Sequence, residues 1–330
     1  MCKGIKEESI KEEEWAVNNN VILQHFILTR FNLLLWNKDK EGRKVRTTKW
    51  LEHRFLLFER YCLPSLKGQT CQTFEWIVLF DSSTPDRFKS RIADYQKECP
   101  QLVPVFVKPE NGCRFAQIFR EEVVKRINDN SESLHSKSQQ NPQENPSISR
   151  IQELENYGSQ LRILTTYLDN DDALDVRFVE DLQQRALALQ DGTFIYYIDG
   201  LQFYTDYKFV MKIHYPRNHF VSVVEAGNPL TVKTVYGYGS HYYIEKIKGA
   251  KIEYVENLPL WCEVIHEKNV GNDAYFLKAK MVKDRERLRH DFAIDETVKY
   301  GAGLYLFRFL PRYGKTFIRR CGWRLFGRHW

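Results

Sequence analysis

The sequence predicts an α/β protein: a mixed, mostly parallel sheet flanked by helices. Three observations carry that prediction. Between residues 21 and 127, short apolar runs alternate with stretches of helical periodicity, as in successive β-α-β units. The apolar runs are continuous, which fits strands buried on both faces. Two such runs end abruptly in carboxylates, Asp81 and Asp169, and open α/β sheets gather their ligands at the carboxyl ends of strands.

Taken in order, residues 1–20 are polar and read as a loose N-terminal segment. VILQHFILTRF (21–31) is the first strand. In residues 47–66, Trp50, Leu51, Phe55, Phe58, Tyr61 and Cys62 recur at three- and four-residue steps, predicting a helix that Pro64 stops. FEWIVLFD (74–81) is the second strand, followed by an SSTPD turn and a helix over 87–98. LVPVFVK (102–108) is the third strand and 114–127 the next helix. Residues 128–160 then break the pattern. Seventeen of these 33 are Asn, Gln or Ser, too few apolar groups to offset ordering entropy, so a disordered insertion is expected there. The sheet resumes with LRILTTYL (161–168), which runs into Asp169-Asn170-Asp171-Asp172. A helix over 176–189 and an aromatic strand pair around TFIYYIDGLQFYT and YKFVMKIHY follow. The expected organisation is one domain over 21–297, with a tail at 298–330.

Composition narrows the function classes. The 330 residues carry a net charge of +6, yet residues 298–330 hold eight Lys/Arg and no acid, which leaves the rest at 41 Lys/Arg against 43 Asp/Glu. A body without basic bias argues against a nucleic-acid partner. The tail interleaves its cations with Phe, Leu and Trp, a pattern that suits peripheral contact with an anionic membrane or a helix covering the core. No apolar run reaches the ~18 residues of a membrane span, and MCKGIKEESIKEEEW lacks the apolar stretch of a secretory signal. The seven cysteines are scattered, without a C-x-x-C pair, as reduced thiols of a cytoplasmic protein would be.

The acidic turn carries the strongest chemical signal. Carboxylates crowded at a strand end repel unless a hard divalent cation, magnesium or manganese, holds them. The competing reading is a helix start, with Asp172 or Asp175 capping the helix that follows. A calcium loop fails, because Ala173 and Leu174 occupy the positions that need an oxygen ligand and a glycine. Asp81, at its own strand end, can accept from a base or a ribose hydroxyl, or can serve as an ordinary turn residue. Two carboxylate-tipped strands on one rim are what a metal-bound nucleotide requires.

YCLPSLKGQTCQTFEWIVLFDSSTPD (61–86) and RILTTYLDNDDALDVRFV (162–179) resemble the opening and the D-x-D-D metal motif of glycosyltransferases with the GT-A (Rossmann-like) fold, family 2 above all. More narrowly, TRFN (29–32), LDNDDALD (168–175) and PLWCEVIHEKNVGN (259–272) resemble the rhamnosyl transferase family of surface-polysaccharide assembly. The resemblance implies a nucleotide-sugar donor, with Thr29, Arg30, Asp81 and Asp169 near it. It implies manganese or magnesium held by Asp171, with Asp169 and His266 completing the shell. It also implies transfer, with inversion, to a hydroxyl of a saccharide or lipid-linked saccharide, at the inner face of the membrane or in the cytoplasm. Glu225 and Glu263 are alternative candidates for the carboxylate that takes the acceptor proton, and His241 for an acceptor contact. Nucleotidyl transfer and a non-catalytic carbohydrate-binding or degenerate scaffold are the alternative classes.

Overall fold

The computed structural model describes residues 21–35, 47–138, 161–266, 279–301, 303 and 314. The predicted N-terminal segment, residues 139–160 and almost all of the basic tail lie outside them. The chain is mixed α/β, with strands in two sheets and helices packed against them.

β1 (Ile22–Arg30), β2 (Glu75–Asp81), β3 (Leu102–Val107) and β4 (Leu161–Tyr167) are mutually parallel, in the spatial order β4-β1-β2-β3. β1, β2 and β3 add in one direction, and β4 then returns to the other side of β1. The order of addition therefore reverses between β1 and β4, which opens a crevice at their carboxyl ends. β6 (Thr193–Tyr197), β9 (Val221–Ala226) and β10 (Lys251–Val255) complete this seven-stranded sheet, and only β9 runs against its neighbours.

A second, five-stranded sheet has the order β12-β8-β7-β11-β5, from β5 (Ala173–Leu174), β7 (Asp199–Tyr204), β8 (Phe209–His214), β11 (Trp261–Ile265) and β12 (Lys280–Met281). The predicted aromatic pair is thus three strands shared between two sheets, with Ile198 at the crossing. β7 and β11 approach closely at Gly200, where a Cβ would fall 2.1–2.3 Å from carbons of the Trp261 indole. Trp261 is fully buried, stacks on Phe220 and donates its indole N–H to the Tyr197 carbonyl at 2.6 Å.

The helical run beginning at Thr48 differs from expectation at Pro64. α1 (Thr48–Leu57), capped by the Thr47 hydroxyl, passes through a π-helical turn (Phe58–Cys62) into α2 (Leu63–Lys67). The missing N–H of Pro64 falls where the regular ladder is already interrupted, so the chain continues to Gly68. Leu51, Phe55, Phe58, Cys62 and Leu66 bury against Trp76, Val78 and Phe80 on one sheet face. α3 (Asp86–Glu98) covers the same side. α4 (Phe115–Ser138) covers the other with Phe119, Val123 and Ile127. It runs eleven residues into the segment expected to be disordered. Those residues contain no Gly or Pro, and a helix already nucleated on the core gains one hydrogen bond for each residue added. Two shorter α-helices follow later in the chain, α5 (Phe178–Ala188) and α6 (Arg287–Phe292).

Candidate active site

The parallel register places three predicted side chains on one rim. Leu28 pairs with Tyr167 and Arg30 with Leu79, so the ends of β1, β2 and β4 carry Arg30, Asp81 and Asp169 side by side. Beyond β4 the acidic turn crosses between sheets, since Ala173 and Leu174 already pair with Cys262 and Trp261 of the second sheet. Asn170 fastens the turn by donating to the carbonyls of Arg30 and Phe31 at 3.0 and 2.6 Å.

Each acid of the turn has a different set of partners. Asp175 accepts the Arg177 N–H and pairs with its guanidinium, stabilising the entry into α5. Asp172 is fully buried; it takes the Val264 N–H at 2.8 Å and His219 Nε2 at 2.8 Å. Burial pushes the Asp172 carboxyl up. Burial also opposes charge on His219, but contact with Asp172 outweighs it and pushes the imidazole up. Asp171 Oδ2 accepts from both Arg54 Nη1 and His266 Nε2, each at 2.9 Å. Burial alone would raise this carboxyl, yet Arg54 and His266 bring it well below the usual range.

Asp169 is the most exposed of the three acids at the rim, and takes the Tyr167 hydroxyl at 3.0 Å with Arg30 Nη2 at 3.6 Å. Arg30 itself sits among Phe115, Tyr167 and Tyr236, its guanidinium carbon 4.8–5.4 Å from the ring centroids. Asp169, Asp172 and His219 each place one ligand atom within 4.8 Å of the others.

Residues 24–137 match the family model described as "Putative rhamnosyl transferase". Over that third of its length the chain is rhamnosyl-transferase-like. The rhamnosyl-transferase-like segment contributes β1, α1, β2 and α4, hence Arg30, Arg54 and Asp81, while the acidic turn lies beyond it. No curated protein matches the chain. Among solved structures, S. aureus TarS 1–349 in complex with UDP superposes with a TM-score of 0.32 and 9% identity, over 73% of this chain and 60% of that one. TarS 1–349 gives 0.34 and 9%, with the same coverage. The chain spans about 60% of the length of these two TarS structures.

The structure gathers Arg30, Asp81, Asp169, Asp171, His241 and His266 toward the rim or the turn. His241 lies 6.0 Å from the His219 ring and 6.5 Å from Tyr167; burial, with His219 and Arg30 nearby, pushes it down to about 3, so the ring is neutral. Asp81 is buried, with Oδ1 accepting the N–H and hydroxyl of Ser83. Glu263 accepts from Gln202, its partner across β7 and β11, and burial pushes its carboxyl up.

Two expected residues are placed elsewhere. Thr29 shares the inward face with Ile27 and Phe31, and its hydroxyl accepts the Trp76 indole N–H at 2.9 Å. It is therefore core and not a donor contact. Glu225 pairs with Ile163, six residues before Asp169 along β4, or about 20 Å away at strand rise. Its oxygens take the N–H groups of Lys233 and Thr234 and the Tyr238 hydroxyl, which makes it a loop anchor and removes it as the base. The aromatic residues of the second half are mainly core. Tyr196, Tyr197, Phe203, Tyr204 and Tyr236 are buried, whereas Tyr242 and Tyr243 are exposed. Arg54, His219 and Gln202 were missed. Arg54 stands in a helical run, Gln202 in a strand and His219 in the loop before β9, none with a local motif; only long-range contacts bring Arg54 and His219 to the turn and Gln202 to Glu263.

Proposed function

We propose that this protein is a metal-dependent glycosyltransferase that moves a sugar, rhamnose being the first candidate, from a nucleotide donor to a hydroxyl of a saccharide or lipid-linked acceptor. The observation that carries the reading is the convergence of Asp169, Asp171 and Asp172 with His219, His266, Arg30 and Arg54 at the strand-order reversal between β1 and β4. The family match over residues 24–137 supports it, and the arrangement is compatible with a GT-A site.

Oxygen and imidazole donors suit manganese or magnesium, and two sets are available. Asp169, Asp172 and His219 form one; Asp169 with the Asp171–His266 pair is the set expected from the sequence. When bound, the cation neutralises charge on the departing diphosphate. Asp169 is common to both sets and is the acid open to solvent, so it also faces the donor. Arg30, held by its aromatic neighbours, adds positive charge beside it. The acceptor hydroxyl oxygen forms a bond to the anomeric carbon as the bond to the diphosphate oxygen breaks, inverting that carbon. The hydroxyl proton goes to a carboxylate, for which Glu263, its carboxyl pushed up by burial, is the remaining candidate. Neutral His241 can hydrogen-bond the acceptor.

The reading is tested by incubating the full chain with UDP-, GDP- and dTDP-sugars, with manganese and with a chelator. Donor consumption that requires manganese is expected; no consumption of any donor sinks the proposal. Among the described residues no helix is long and apolar enough to cross a membrane. Peripheral contact through 298–330 is proposed from sequence alone, and sedimentation with anionic vesicles, before and after truncation at Glu296, decides it.

A further inference from the structure

We propose that Arg54 is the guanidinium that meets the departing diphosphate, and that Asp171 holds it in place until the donor arrives. The inference rests on the transferase reading above and adds a residue from α1 that no sequence motif marks. Leu51 and Phe55 anchor this part of α1 in the core. From that wall Arg54 crosses the Trp50 ring, 5.8 Å from its centroid, and places Nη1 2.9 Å from Asp171 Oδ2. The same oxygen already accepts from His266. Arg54 Nε is buried and has no hydrogen-bond partner among the described residues.

As a structural ion pair this arrangement is poor. A buried pair offsets its desolvation only when the remaining donors are also satisfied, and among the described residues Nε lacks an acceptor while His266 shares the acid. As a poised anion contact it is coherent. A guanidinium offers several donors in one plane, which match phosphate oxygens in pairs. A divalent cation added to Asp169, Asp171 and Asp172, with Arg30 and Arg54 alongside, balances the acids of the rim, Asp81 included, which lets a polyanion approach the two guanidinium groups. A cation on Asp171 would also repel the guanidinium from Oδ2 and turn its donors toward the leaving group.

The test is calorimetric titration of the full chain with UDP, GDP and dTDP, and with their monophosphates, at saturating manganese. The nucleotide that binds the wild type is carried into Arg54→Gln and Arg54→Lys, and manganese affinity is measured separately without nucleotide. Arg54→Gln is expected to weaken the diphosphate roughly 10- to 100-fold. The monophosphate and manganese should change less than about threefold, with Arg54→Lys intermediate. If manganese, monophosphate and diphosphate weaken together, Arg54 only orients Asp171 and the inference is wrong. Unchanged diphosphate affinity in Arg54→Gln overturns this inference alone. If no nucleotide binds the wild type, the transferase reading fails and takes this one with it. Should Arg54→Gln not fold, Arg54→Lys carries the same comparison, and full diphosphate affinity there overturns the inference.

Discussion

His25 gives a test of the fold that is independent of catalysis. It lies within β1, buried, with Nε2 2.9 Å from the Thr166 hydroxyl and Nδ1 3.3 Å from Gln183 Nε2. A neutral ring satisfies both, donating to Thr166 and accepting from Gln183; a protonated ring cannot. Burial accordingly pushes His25 down to about 3 from 6.5. Below pH 6.5 the unfolded chain therefore takes up a proton that the folded chain refuses, and stability falls with pH. At about 1.4 kcal/mol per unit, lowering the pH from 7.5 to 5.0 costs about 2 kcal/mol through this residue. His25→Gln has no such titration. Urea unfolding followed by fluorescence at both pH values isolates the effect, because titrating groups elsewhere are carried by both chains and cancel. At pH 7.5 the variant should be less stable by about 1 kcal/mol for its altered hydrogen bonds. At pH 5.0 the deficit should close or reverse. Equal losses in both chains would refute the reasoning.

Three further expectations follow from the site and its supports. Asp171→Asn should abolish sugar transfer in a protein that still folds, with a lowered melting temperature because the buried Arg54 loses its counter-charge, whereas Asp175→Ala should lower the melting temperature and leave transfer in place; retained transfer with bound manganese in Asp171→Asn would remove Asp171 from the metal set. Glu225→Gln should lower stability by about 1–3 kcal/mol, through weaker loop hydrogen bonds, while leaving donor hydrolysis within twofold of wild type. A collapse of hydrolysis in a folded protein would return Glu225 to the site. Gly200→Ala should destabilise by at least about 1–3 kcal/mol, since the new Cβ meets the Trp261 ring; an unchanged urea midpoint would show that β7 and β11 separate more easily than their packing implies.

The four parallel strands β1 to β4 of the large sheet were legible because a buried parallel strand must be apolar on both faces, and four runs of that kind stand out between residues 21 and 168, whereas β9 and β10 were not expected. The acidic turn was legible for the opposite reason, as charge placed where apolar sequence stops. Glu225 was misplaced because β9 runs antiparallel. Its residues late in sequence lie beside the beginning of β4, and nothing local in SVVEAGNP records that reversal. Thr29 could have been resolved, since strand alternation puts it on the face of Ile27 and Phe31. Arg54 and His219 could not, because each reaches its aspartate across 117 and 47 positions of chain. The helix over 128–138 was missed because composition reports the cost of nucleating a helix, not of lengthening one.

The seam at the acidic turn has a consequence for how the molecule is made. Asp172 is fixed to the Val264 backbone and Asp171 to His266, so the cluster closes only when the strand at 261–265 docks. By then every strand of the large sheet, the last ending at Val255, has left the ribosome ahead of it. A released chain ending between these points would carry every strand of the large sheet and an unfinished cluster. Assembly order thus separates the scaffold from its chemistry, and a released chain ending at residue 258 should share protection of the large sheet with the full chain while binding manganese more weakly.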